Sequence, residues 1–171
     1  MSDLTTNEFA IVMMAFRVIF GLVFALHGVG KIRGGIDGTA GWFDSIGMKP
    51  GKLHARAAAA TEIGTGTLLA VGLLTPFAAA GMVAVMVVAG WTVHRKNGFM
   101  IVNDGWEYTF IVALMAILVA GLGPGELSID HALGLADTLN GWVGLAIALS
   151  LGIAGGIGQL TVFFRSPQSE D

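Results

Sequence analysis

The chain has no cysteine. That excludes dithiol redox chemistry, thiolate nucleophiles, iron–sulfur ligation and disulfides, and it says nothing about the redox compartment. Charge is scarce as well. Asp, Glu, Lys and Arg make up 12% of 171 residues, about half of the roughly 25% usual in soluble domains. A net charge of −3 is too small to point to charged partners such as nucleic acid. The opening MSDLTTNEFA contains no Lys or Arg. It lacks the basic region of a secretory signal, so the first apolar run is expected to be retained. There is no Gly-rich phosphate loop, no HExxH or other metal-ligand spacing, and no nucleophile elbow.

What the sequence has in abundance is apolar surface. Hydrophobic residues are 54% of the chain and the mean hydropathy is +0.76, which describes an integral membrane protein. About 20 apolar residues cross a bilayer as a helix. Five segments have that length: about Phe9 to Val29, His54 to Leu74, Phe77 to Val93, Trp106 to Leu122, and Gly141 to Phe164. Helices satisfy their own backbone in lipid, so an all-α membrane protein is expected, as one transmembrane domain over residues 1–171. Thr75-Pro76 reads as a tight turn, with Pro76 suited to the first position of the next helix. Apart from Arg17, the Lys and Arg residues are Lys31, Arg33, Lys49, Lys52, Arg56, Arg95, Lys96 and Arg165. Five spans put all of them on one side. The positive-inside rule makes that side cytoplasmic, with the N-terminus outside and the C-terminus inside a multi-pass bacterial inner-membrane protein.

Trp42, Trp91, Trp106 and Trp142 fall at predicted span ends or in an interface segment, as aromatic belts do. TAGWFDSIGM puts Trp42, Phe43 and Ile46 on one face of a short helix lying in the cytoplasmic interface, or else is an ordinary loop. Helices one to four make a natural bundle, with the fifth peripheral. Gly152 and Gly156 on the fifth form a GxxxG pair suited to dimerisation or partner docking, although such spacings arise easily among 26 glycines.

Ionisable residues inside a membrane are functional candidates by default. Arg17 is near the midpoint of helix one and Glu62 near that of helix two. An antiparallel arrangement predicts that they pair, either as a structural ion pair or as a site that binds a ligand or moves a proton. Gly21, Phe24, Gly28 and Lys31 share the Arg17 face. A second polar group gathers towards the cytoplasm: His27, Lys31, His94, Asp104, Glu107 and Tyr108. Glu107 suits a helix N-terminus. His27 and His94 read as interfacial, or as axial ligands of one haem; His54 and His131 read as solvated. NGFMIVNDGWEY has Gly turn signals around an apolar stretch and is expected to dip into the interface and cap a cavity.

RVIFGLVFALHGVGKI, ATEIGTGTLLAVGLLTPFAAAGMVAVMVVA, a histidine after helix three, and GWEYTFIVALMAILVAGLGPGELSIDHALG together resemble DoxX-type membrane proteins in order and spacing. The matching features are Arg17, His27-Gly28, Lys31, Glu62, Gly66, His94, Glu107, and the Gly-x-Gly-x-x-Ser-x-Asp of Gly123 to Asp130, over about residues 14 to 134. The resemblance implies a four-helix transmembrane bundle and a place in redox chemistry. Such relatives include a membrane subunit of thiosulfate:quinone oxidoreductase and partners of complexes containing superoxide dismutase and a sulfurtransferase. The fifth helix lies beyond the family pattern. The expectation is an inner-membrane subunit of a redox or oxidative-stress complex rather than a stand-alone enzyme. It would anchor soluble enzymes or supply a quinone site, with Arg17 and Glu62 on the carbonyls and His94 and Glu107 as proton exit. No haem, flavin or thiol is visible, so electrons would come from a partner. The alternatives are a non-catalytic structural accessory subunit and a small proton-coupled transporter using Glu62.

Overall fold

The computed structural model describes residues 6–166. Among these the chain is all-helical, with an isolated bridge between Met48 and Phe164. The helices are α1 (Thr6–Arg33), α2 (Ile36–Ser45), α3 (Gly51–Val71), α4 (Thr75–Ala89), α5 (Glu107–Leu122), the short α6 (Ile129–Ala132) and α7 (Ala136–Leu139), and α8 (Gly141–Phe163). Beyond α4 the helix widens into a π turn, Gly90–His94, and ends in a 3-10 turn, Arg95–Asn97.

Three helical runs are long and apolar enough to cross a membrane: Asn7–Arg33, Thr75–Asn97 and Gly141–Phe163. Glu107–Leu122 is apolar but shorter. α3 fills the second expected span, but Lys52, His54, Arg56 and Glu62, among Ala, Gly and Thr, leave it less apolar than the other long helices. Expected and observed ends agree within a residue for α5 and α8. α1 is longer at both ends, and α3 is shifted three residues earlier. The shift has a local cause. Pro50 precedes the first turn, and Gly72 (φ 66°) closes the last one, with Gly72 N–H donating to Leu69 O and Leu73 N–H to Leu68 O. That is a Schellman closure, which a left-handed Gly permits. Pro76 sits in the first turn of α4, as expected.

Two close helix pairs organise the core, α1 on α3 and α4 on α8, joined through α3–α4, α4–α5 and α5–α8 contacts. Each is built on absent side chains. At Gly21 a Cβ would strike Gly66 O, and at Gly66 it would strike Gly21 O. On α8, Gly144, Ala148, Gly152 and Gly156 recur every fourth residue and are all buried. A Cβ at Gly152 would meet Val83 and Ala80 O, and one at Gly156 would meet Val87 and Ala84 O. The Gly152–Gly156 face, expected to dock a partner, is therefore consumed within the chain. α8 is integral to the core rather than peripheral.

The ends differ in chemistry. The α1 C-terminus, α2, the α3 N-terminus and the α8 C-terminus meet at one end, where Arg165 N–H donates to Gly47 O at 2.8 Å. Lys31, Arg33, Lys49, Lys52, Arg56, Arg95, Lys96 and Arg165 all belong to this basic end. The α3–α4 turn and the α5–α8 connection form the other.

Candidate functional site

Arg17 and Glu62 do not pair. The α1 and α3 helices are staggered rather than aligned at their midpoints: Gly28 lies against Ala59, Glu62 and Ile63, and Gly21 against Gly66 and Ala70. Arg17 therefore meets the end of α3, seven or eight residues beyond Glu62, or about 11 Å at 1.5 Å per residue. Its Nη1 donates to Leu69 O and Ala70 O, both at 3.1 Å, and its Nη2 to Leu127 O at 2.6 Å. The side chain is fully buried. A guanidinium is a rigid fork of donors that never deprotonates, and here it tops the negative end of the α3 dipole. Asp130 supplies the nearby negative charge.

Asp130, fully buried and not among the expected site residues, has its own structural task. Its Oδ1 accepts from Leu74 N–H at 2.7 Å, and its Oδ2 accepts from Thr75 N–H at 2.9 Å and Thr75 Oγ1 at 2.8 Å. These are orphan donors at the start of α4, so Asp130 caps that helix from across the fold. Ser128 Oγ donates to Gly125 O at 2.6 Å and caps α6. The Gly123–Asp130 motif thus ties the far end together with Arg17.

Glu62 pairs instead with Lys31, one α1 turn beyond His27. Lys31 Nζ lies 2.7 Å from Oε1 and 2.6 Å from Oε2; Glu62 is buried and Lys31 partly exposed. The pair lines a cavity of about 140 Å³ between α2, α3 and α4. Its walls are mostly apolar: Ala57 and Ala58 of α3, Val85, Met86, Val88 and Ala89 of α4, Trp42 and Phe43 of α2, and Ile46 just past its end. Thr61, Thr92 and Gln159 add polarity. The π turn brings Thr92 and Val93 into the wall, as such turns often do at functional sites.

The cavity's cover is α2, not NGFMIVNDGWEY. The face carrying Trp42, Phe43 and Ile46 turns inward, with Phe43 buried. Asp44 Oδ1 accepts from Gly51 N–H at 2.8 Å, and Lys52 Nζ lies 2.9 Å from Asp37 Oδ1. The hydrogen bond from Lys52 holds the exposed Asp37 carboxyl below the usual carboxylate range. In the 98–106 segment, Phe99 stacks edge-on with Trp106 and Phe110, and Met100, Ile101 and Val102 are exposed.

The remaining expected residues separate from the cavity. His94 Nδ1 lies 2.7 Å from Asp104 O, and Glu107 Oε2 accepts from Ile101 N–H at 2.8 Å, so both brace the loop before α5. Tyr108 Oη is 3.5 Å from His27 Nε2. His54, expected to be solvated, is 2% exposed. Its ring packs against Phe163 with centroids 4.9 Å apart, and its Nδ1 lies 3.0 Å from Gln159 Nε2. The only sequence signal for this burial was the run of alanines after His54.

The chain is similar to known proteins over the helices that hold this site. The DoxX family model matches residues 12–95, covering α1 to the end of the α4 run, and so both Lys31 and Glu62. "Putative oxidoreductase CatD" of Bacillus subtilis is 32% identical over 124 residues, 72% of this chain and 88% of that protein. "Uncharacterized membrane protein Rv3486" of Mycobacterium tuberculosis is 29% identical over 131 residues, 71% of this chain and 80% of that one. No solved structure matches. With apolar membrane-length helices, and similarity that spans most of the first relative, this chain belongs to the DoxX family of membrane proteins.

Proposed function

We propose that the protein is a multi-pass inner-membrane subunit of a redox complex, and that its cavity takes the headgroup of a quinone-type lipid. The basic end faces the cytoplasm in this reading, since positively charged loops stay inside. α1, α3, α4 and α5 form the bundle of four spans, and α8 adds a fifth.

The observation that carries the reading is the Lys31–Glu62 pair in the wall of an apolar cavity. A ligand site is typically apolar with a few convergent polar groups. An engineered cavity of about 150 Å³ holds one benzene ring, so about 140 Å³ suits a single-ring headgroup. Lys31 carries three N–H donors and spends two on Glu62, leaving one for a ligand carbonyl. Glu62 is the proton-handling group beside it. Trp42 and Phe43 provide aromatic surface against a ring. When bound, the quinone would accept or release electrons exchanged with a partner enzyme. Arg17 has no part in this site; it is buried at the other end, where it donates to backbone carbonyls.

The test is binding. Purified protein in bicelles is titrated with a short-chain quinone, read by quenching of tryptophan fluorescence and by thermal stability. Saturable quenching that Lys31→Met weakens about tenfold, the equivalent of one charge-assisted hydrogen bond, is expected. Absence of quinone from the native lipid extract, with no thermal shift on addition, would refute the site.

A further inference from the structure

We propose that the loop between the α4 run and α5 is a docking surface for anionic phospholipid. The side chains of Phe99, Met100, Ile101 and Val102 enter the leaflet at the basic end, and Arg95 and Lys96 beside them hold lipid phosphates. The inference rests on the membrane character of the chain and not on the cavity.

α5 is apolar but short. Its 16 residues rise about 24 Å, against about 30 Å of hydrocarbon. Past its last turn come Gly123, Pro124, Gly125 and Glu126, which offer little apolar surface. At its start the loop supplies what is missing. Phe99 stacks on Trp106 with centroids 4.6 Å apart and stands 6.3 Å from Phe110, level with the first turn of α5. Met100, Ile101 and Val102 follow, all exposed, Val102 to 83%. Their side chains extend the apolar surface of α5 towards the headgroups.

The loop's backbone suits that depth. The N–H groups of Asn103 and Gly105 donate to Met100 O, that of Asp104 to Ile101 O, that of Trp106 to Gly98 O and that of Glu107 to Phe99 O. Ile101 N–H donates to the Glu107 carboxylate at 2.8 Å. An irregular segment next to lipid is costly unless its polar backbone is satisfied from within. Here the hydrogen bonds turn inward and the apolar side chains outward. That is the arrangement for a segment lying at the headgroup boundary with its apolar face among the acyl chains.

Charge completes the surface. The Arg95 guanidinium lies 4.0 Å from the centroid of the half-exposed Trp91 ring. His94 Nδ1 and Asn97 Nδ2 lie 2.7 and 3.2 Å from Asp104 O, which fastens this basic turn to the loop. Arg95 and Lys96 are exposed, and among the described residues neither is in an ion pair. Two cations beside an apolar patch and interfacial tryptophans match a phosphodiester above its acyl chains. A zwitterionic headgroup carries its own cation next to the phosphate. An anionic one does not, so it gains more from Arg95 and Lys96. A soluble protein would have to reach the loop through the headgroups, because the short span of α5 draws it down among them.

The chain has no cysteine, so Val102→Cys places a fluorophore at one site of the full protein in vesicles of phosphatidylcholine mixed with phosphatidylglycerol. A nitroxide high on the acyl chain should quench this label. Aqueous iodide should quench it several-fold less than a label on Ser166→Cys, past the end of α8. A trace nitroxide carried on phosphatidylglycerol should be preferred over the same group on phosphatidylcholine by about fivefold for each of the two cations, and the preference should fall as salt rises. Arg95→Gln with Lys96→Gln, both at exposed positions, should remove the preference and leave the iodide protection in place. Equal iodide quenching of the two labels, the result for a surface kept for a soluble partner, overturns the inference. A lipid preference that is absent, or that survives the double substitution, overturns it as well. Neither result touches the cavity reading.

Discussion

The sharpest test of the architecture is a pair of double-mutant cycles on the buried charges. A midpoint alignment of α1 and α3 couples Arg17 to Glu62, whereas the observed stagger couples Lys31 to Glu62 and leaves Arg17 on backbone carbonyls. Arg17→Leu removes the one donor that Ala70 O and Leu127 O have among the described residues, while Leu69 O keeps Gly72 N–H at 3.0 Å. Two stripped carbonyls cost about 1–3 kcal/mol each. Removal of a buried cation gives back part of its desolvation penalty, which is several kcal/mol. The net loss should be about 2–3 kcal/mol, and Glu62→Leu should not change it. Sites about 11 Å apart along a helix with no shared partner add within about 0.5 kcal/mol. Lys31→Met and Glu62→Leu behave differently. Lys31→Met strands the buried Glu62 carboxylate at about 3–5 kcal/mol, Glu62→Leu strands the partly exposed Lys31 at less, and the double variant loses much less than their sum. Coupling should then exceed about 2 kcal/mol. The assay is SDS-driven unfolding in bicelles, followed by far-UV circular dichroism. Coupling above about 1 kcal/mol between Arg17 and Glu62, or none between Lys31 and Glu62, would refute the stagger.

The other predictions use the same unfolding curves. Asp130→Asn keeps one acceptor for the start of α4, loses charge assistance on the rest, and should cost about 2–4 kcal/mol, with Thr75→Val near 1 kcal/mol. On α8 two glycines should part company: Gly152→Leu, which drives into Val83 and Ala80 O, should destabilise by about 3 kcal/mol or more, whereas Gly158→Leu, which faces open space, should stay within about 0.5 kcal/mol. The Asp37–Lys52 tie on α2 should show in pH. Because the folded carboxyl sits below its ordinary value, its contribution is present above that value and lost as pH falls through the folded one. A cysteine introduced at Ala58, in an otherwise cysteine-free chain, is read as its labelling rate relative to a free thiol at the same pH, since only the thiolate reacts; that ratio should be no higher at pH 5 than at pH 8, and should rise only on further acidification.

Helix content and most helix ends were legible because lipid-length apolar runs and Gly or Pro punctuation are local signals. Pro76 at the start of α4 could be read directly. The pairing of Arg17 could not. Its partner depends on the stagger of α1 against α3, and that is set by Gly21 and Gly66 allowing backbone contact at one register. Nothing local announces which small residues of two helices will meet. Carbonyl partners are also invisible to reasoning that matches side-chain charges, although an α3 C-terminus was an available anion-like site for a guanidinium. The role of α8 was missed for a related reason. Four small residues at fourfold spacing read equally well as an outer or an inner face, and only the presence of Val83 and Val87 opposite them decides. His54 looked solvated because its neighbours in sequence are Lys52 and Arg56, while its neighbours in space are Phe43, Phe163 and Gln159.

The two ends of the molecule divide structure from chemistry by what their polar atoms have left to give. At the Arg17 end the polar side chains are sealed in protein: the guanidinium makes three hydrogen bonds to carbonyls, and Asp130 takes three donors from Leu74 and Thr75. Arg17 Nε, without a partner among the described residues, is buried with them. Such an arrangement can fix helix ends but has nothing to offer a substrate. At the basic end the opposite holds. Lys31 keeps one donor after pairing and borders a space the size of a ring, under a helix held by a few exposed and partly buried polar ties. A buried charge is expensive to maintain in either place. At the Arg17 end the charge ties helix ends together out of reach of solvent. In the proposed site the Lys31 donor left open beside the cavity is what a ligand would meet.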